Sequence, residues 1–209
     1  ELLLNFSLPG LWRNAGHVTS TKSYPSKQTF IKKVDASMGG TWWQSMWQDN
    51  PRGGRDQMIL EHYVEKLIDV CKGSGLVSWI PCADRWQGPP SYYLIHVTQH
   101  PQGAWLFNQA VSSAMEVYRE HCLAGEDRDL FDDLQYRERE WVDIIKANIV
   151  QLLESESAFT VVDRLDSVYG ETHGFAREKH VRKAIKELHK DGKTSTDSKG
   201  DIDTKRIKP

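Results

Sequence analysis

The sequence has no G-x-G-x-x-G turn, no G-x-x-x-x-G-K-[ST] loop and no H-E-x-x-H helix, so the usual phosphate-cradling and zinc-holding signatures are missing. Cysteine is scarce. Cys71, Cys82 and Cys122 are odd in number and far apart, a pattern that fits neither a zinc site nor the disulfide framework of a secreted domain and reads as reduced structural thiols. No apolar run approaches the roughly 18 residues needed to cross a bilayer, and the apolar start lacks the basic leader of a signal peptide. The expectation is a cytoplasmic protein with no membrane partner and no metal.

What the sequence does contain is enough apolar material for a core: 39% of 209 residues, which favours one or two domains. Leu2-Leu3-Leu4-Asn5-Phe6-Ser7, bounded by Pro9-Gly10, reads as a buried strand of a parallel sheet with helices on both faces. Such a strand needs neighbours for its backbone groups. Residues downstream do not supply a full set, so the chain is expected to be the C-terminal part of a longer protein. Charge is distributed unevenly. Residues 177–209 hold 11 Lys and Arg against six Asp and Glu, a net +5, which leaves −7 on residues 1–176 from the total of −2. A basic tail on an acidic body marks a separate module suited to a polyanion or to plain solvation.

After the first strand comes a connection carrying four of the eight tryptophans, Trp12, Trp42, Trp43 and Trp47, expected to form loops or short helices over a site with the rings packed inward. Leu60, Tyr63, Val64, Leu67, Ile68 and Cys71 recur at helical spacing and predict a helix over 56–71. Residues 76–82 and 92–98 predict two antiparallel strands, with Gly88-Pro89-Pro90-Ser91-Tyr92 as their loop. A helix follows His100-Pro101-Gln102-Gly103, with Phe107, Val111, Ala114, Met115 and Tyr118 as its buried stripe. His96, alone on the second strand, reads as hydrogen-bonded structure.

The first domain is expected to span 1–125, a connector helix 126–155, and a small module 156–209. In that module Val161, Val162, Leu165 and Val168 predict one helix, and Val181, Ala184, Ile185 and Leu188 another. A short middle helix is expected near 175–178, with a hairpin from 193–196 to 202–207 around Ser198-Lys199-Gly200. Helix, helix and hairpin is a winged-helix order. Its cations Arg177, Lys179, Arg182, Lys183, Lys186, Lys199 and Lys205 are the candidate nucleic-acid contacts.

No catalytic residue is assigned by the sequence. Asn5, at the end of the first strand, and Arg13-Asn14 beyond it lie where open α/β sheets bind ligands, although an anchoring role for the loop fits them equally.

Three stretches resemble the three-Cys-motif partner (TcmP) family, proteins similar to class I methyltransferases. They are Leu2-Leu3-Leu4-Asn5-Phe6-Ser7-Leu8-Pro9-Gly10-Leu11-Trp12-Arg13-Asn14, residues 34–43 with the turn Gly39-Gly40-Thr41-Trp42, and Tyr92-Tyr93-Leu94-Ile95-His96-Val97-Thr98-Gln99-His100-Pro101-Gln102-Gly103. The resemblance implies an α/β fold: the C-terminal part of a Rossmann-like sheet, with residues 1–7 as about the fifth of seven strands, followed by the winged-helix-like module. It further implies S-adenosylmethionine as cofactor, held mainly by residues upstream of this chain, and a protein with a three-cysteine motif as partner. The alternative is a binding module without catalysis, whose basic tail touches DNA or a protein.

Overall fold

The computed structural model describes residues 1–49, 54–71, 75–85, 88–123 and 130–209, excluding the side chains of 123 and 130–135. The chain divides into two compact units, Glu1–Gln99 and His100–Pro209.

The first unit is built on three strands, β1 (Leu2–Ser7), β2 (Leu76–Ala83) and β3 (Pro90–Thr98), in the order β1-β3-β2. β3 is antiparallel to both neighbours, so β1 and β2 run in the same direction. Leu4, Ile95 and Trp79 stand in one cross-strand row, and Leu2, Val97 and Val77 in the next on the same face, because directly opposed residues share a side of the pleat. Four helices belong with this sheet: α1 (Leu8–Thr19), α2 (Lys27–Met38), α3 (Trp42–Asp49) and α4 (Arg55–Val70). Their buried residues, among them Leu11, Ala15, Ile31, Trp43, Trp47, Ile59, Leu60 and Val64, form one apolar cluster with Phe6, Val77, Ile95 and Val97.

Local chemistry sets the ends of these helices. Ser7 caps α1, its Oγ accepting from Gly10 N at 3.2 Å, and Pro9 fits the first turn, where its missing N–H is no loss. Gly39, at φ 68°, ends α2 in the left-handed region, with Gly40 N donating to Asp35 O at 2.8 Å. The chain therefore turns at once into α3. Trp43, fully buried, donates its indole N–H to Asp35 Oδ1 at 2.9 Å, and the Arg55 guanidinium lies 3.4 Å over the Trp47 ring.

The second unit contains α5 (Pro101–Leu123), α6 (Leu130–Ser155), β4 (Phe159–Thr160), a 3-10 turn at Val162–Arg164, α7 (Leu165–Tyr169), a second such turn at Gly170–Thr172, α8 (Glu178–Lys190) and β5 (Arg206–Ile207). α8 packs against α6, burying Val181, Ala184, Ile185 and Leu188, while α6 buries Val142, Ile145 and Ile149. Polar side chains of α5 hold the approach to α8. Asn108 donates to Ala176 O at 3.0 Å and accepts from Gly174 N at 2.7 Å, and Gln109 accepts from Glu178 N at 2.9 Å.

The mixed α/β character, the helices α4, α5, α6 and α8, and the antiparallel pairing of β2 with β3 agree with the sequence. The connection after β1 takes the helical of its two expected forms, because Ser7 and Pro9 start a helix. Three expectations need correction. β1 is not a central strand between parallel neighbours: its one described partner is antiparallel, and Leu2 and Leu3 are 49% and 58% exposed. No separate middle helix forms near 175–178: α5 side chains hold the backbone on either side of Phe175, and Glu178 already begins α8. The terminal hairpin is replaced by the antiparallel pair β4–β5. Thr194 and Thr196 meet the 206–208 backbone mainly through their hydroxyls, with Thr196 Oγ1 donating to Arg206 O at 3.2 Å and accepting from Lys208 N at 3.0 Å. The expected boundary at 125/126 falls among residues 124–129, outside the described residues. Among the described residues no helix is long and apolar enough to cross a membrane.

One buried group couples this fold to pH. His180 is buried in α8, its Nδ1 accepting from Arg177 N at 3.0 Å and its ring edge-on to Trp141. Burial pushes its pKa down to about 4, against the pull of Glu138. The unfolded chain binds a proton on this residue below about pH 6.5 while the folded chain does not. Stability contributed by neutral His180 is thus present above pH 6.5 and lost as pH falls towards 4, by about 3 kcal/mol. Urea unfolding of the parent and of His180→Gln at pH 7 and pH 4.5 should give a steeper loss in the parent; equal losses would contradict this.

Candidate functional site

Because β1 and β2 point the same way, their carboxyl ends emerge together, and each has a cleft beside it. The first, of about 370 Å³, is lined by Asn5, Phe6 and Ser7 of β1, Gly10, Leu11 and Asn14 of α1, Phe30, Lys33, Val34, Ser37 and Met38 of α2, and Tyr63 of α4. Its walls are mostly apolar, with the Phe6 and Tyr63 rings 5.3 Å apart. Six polar side chains interrupt them, of which Ser7 and Ser37 are bonded to local backbone, Ser7 Oγ accepting from Gly10 N at 3.2 Å and Ser37 Oγ donating to Lys33 O at 3.0 Å. Asn14 donates to Gly10 O at 2.6 Å within its own helix, whereas the side chains of Asn5, Lys33 and Tyr63 form no hydrogen bond or ion pair with another described residue. Burial pushes the Tyr63 phenol up, so it stays a neutral donor. An apolar cleft with a carboxamide, a phenol and an ammonium at its rim suits a largely apolar ligand with a polar or anionic edge.

The second cleft, of about 400 Å³, is lined by Pro9 and Trp12 at the start of α1 and by Asp84, Arg85, Gly88, Pro89, Pro90 and Ser91 between β2 and β3. Ser91 Oγ donates to Asp84 Oδ2 at 2.8 Å, and the Trp12 ring is 44% exposed. Trp43 and Trp47 are buried in the core, so the tryptophans divide between packing and this cleft wall.

Of the sequence-predicted ligand residues, Asn5 and Asn14 meet at the first cleft. Arg13, exposed on α1, is not part of its lining. The residues missed were Lys33 and Tyr63. Tyr63 belonged to an apolar stripe and gave no sign of its hydroxyl's surroundings, and Lys33 looked like any surface lysine of a helix.

The predicted basic set separates into two groups. Four members are engaged within the second unit. Arg177 pairs with Glu116 and donates to Ser113 Oγ at 3.1 Å, and Lys179 pairs with Glu138. Arg182 pairs with Glu178 and donates to Ser198 O at 2.5 Å and Gly200 O at 3.1 Å. Lys205 pairs with Asp197, whose carboxyl it holds below the usual range, and donates to Lys199 O at 2.8 Å. Glu187, bonded by Lys146 at 2.9 Å and Arg139 at 2.8 Å, is likewise held low. The side chains of Lys183, Lys186 and Lys199 are exposed and form no ion pair or hydrogen bond with another described residue.

This division is measurable as stability. Arg182→Ala removes the bridge from α8 to the Ser198–Gly200 backbone and should cost about 1–2 kcal/mol, whereas Lys183→Ala should stay within about 0.5 kcal/mol of the parent. Urea unfolding at pH 7 checks both, and equal effects would contradict the division.

No protein-family model, no curated protein and no solved structure matches this chain.

Proposed function

We propose that this chain is the C-terminal part of a three-Cys-motif-partner-like methyltransferase, its first unit carrying the acceptor side of the site and S-adenosylmethionine bound mainly by residues upstream. The observation that carries this reading is the topology: β1 and β2 run in one direction, β3 is inserted antiparallel between them, and two clefts open at the shared carboxyl ends. Ligands of doubly wound sheets bind at that edge. The order β1-β3-β2 supports taking the three strands as fifth, seventh and sixth in a larger Rossmann-like sheet. The exposed Leu2 and Leu3 on the outer strand support a further strand beside β1, since an apolar edge with unpaired backbone groups is otherwise a pairing hazard. Residues 156–209 are read as winged-helix-like, on the order α7, α8 and β5. A partner protein with a three-cysteine motif follows from the resemblance alone.

In this reading the methyl acceptor sits in the cleft of Asn5, Lys33 and Tyr63, whose chemistry fits an apolar or aromatic body with a polar edge. Methyl transfer to a held nucleophile is largely a matter of alignment, and the cleft walls would supply it.

Calorimetry with S-adenosylmethionine tests the proposal. The 209-residue chain should give no binding heat, and the complete gene product should bind at micromolar concentration. Binding by the short chain would overturn the upstream placement of the cofactor, and no binding by the complete protein would overturn the methyltransferase reading.

A further inference from the structure

The lysines of α8 that the fold leaves unengaged lie together. At about 100° per residue, Lys183, Lys186 and Lys190 fall within a stripe of about 60°, diametrically opposite the buried Val181, Ala184, Ile185 and Leu188. The stripe runs about 10 Å along the axis. Lys193 continues it just beyond the helix end, and all four side chains are exposed with no ion pair or hydrogen bond to another described residue. The acidic residues of α8 do not neutralise the stripe: Glu178 is engaged by Arg182, and Glu187 by Lys146 and Arg139. Asp191, exposed at the helix end, is the nearest remaining carboxylate in sequence.

We propose that this lysine face of α8 docks on the phosphate backbone of double-stranded DNA without reading its sequence. The proposal is independent of the methyltransferase reading. Three observations favour this partner. Residues 177–209 contain no Phe, Trp or Tyr, so they offer no stacking platform for single strands. Every apolar residue of α8 is buried, so the helix has no hydrophobic face to lay into a bilayer. A straight, rod-like cationic face on a helix suits the wide major groove of B-form DNA and not the deep, narrow one of A-form RNA. The exposed stripe bears lysines and none of the Asn, Gln or Arg side chains that read base edges in pairs, hence a backbone contact rather than a sequence code.

The test uses the full 209-residue chain and a 20-base-pair duplex of arbitrary sequence, titrated from 20 to 200 mM salt. Lys183→Ala/Lys186→Ala/Lys190→Ala is compared with the parent and with Lys22→Ala/Lys32→Ala, which removes charge from the other unit. The parent should bind at low salt with an affinity that falls steeply as salt rises, to about 10⁻⁴–10⁻⁶ M or weaker near physiological salt. The triple variant should flatten the log–log salt slope by about 3 units, and the control should leave it unchanged. Circular dichroism melting of the triple variant should match the parent, since the three exposed side chains form no hydrogen bond or ion pair with another described residue. No binding by the parent at 20 mM salt, an unchanged slope in the triple variant, an equal loss in the control, or tighter binding to phosphatidylserine vesicles than to the duplex would each overturn the proposal.

Discussion

In the first unit, β3 must satisfy two rows of backbone N–H and C=O groups, and it does so by pairing with β1 on one edge and β2 on the other. That double pairing decides the rest. Because both partners are antiparallel to β3, they are parallel to each other, and the helices between them in sequence have to return the chain across the sheet. The row Leu4, Ile95 and Trp79 then faces α1 to α4 as one apolar surface. The same geometry brings the carboxyl ends of β1 and β2 out on one side, where both clefts form, so the placement of Asn5 beside Lys33 and Tyr63 is a consequence of strand direction.

A comparable constraint acts in the second unit. α8 has a narrow apolar stripe, and burying it against α6 fixes which side chains can face water. Arg177, Lys179 and Arg182 are drawn into pairs with Glu116, Glu138 and Glu178, while Lys183, Lys186 and Lys190 form no ion pair with another described residue. Neighbouring residues of a single helix therefore differ in what they hold: Arg182 ties α8 to the Ser198–Gly200 backbone, and Lys183, one residue later, forms no hydrogen bond or ion pair with another described residue.

Periodicity made α4 and α8 legible in the sequence, because an apolar stripe needs no knowledge of its partner to be recognised. The β2–β3 pair was legible from two β-rich runs joined by a proline-rich loop. α1 was not, because Pro9-Gly10 looks like a turn until Ser7 is recognised as a cap that puts the proline in the first helical turn. The environment of β1 was misread because an apolar hexapeptide carries no information about which strand lies beside it. The roles of Arg177 and Lys179 were hidden for the same reason: their partners Glu116 and Glu138 lie 61 and 41 residues away. Asn5 of β1 and Asn14 of α1 line the first cleft, but the lysine and tyrosine that join them come from α2 and α4, and only the packed fold brings those together.

The proposed function rests on β1 having a second neighbour, since a methyltransferase-like sheet extends past its outer edge towards the cofactor. The most direct measurement is a crystal structure of the complete gene product with S-adenosylmethionine. The account predicts a strand paired along residues 2–7 on the edge of β1 away from β3, with the cofactor at the carboxyl ends of the strands beyond it. A β1 edge left bare or covered by a helix, with no cofactor at that end of the sheet, would contradict it.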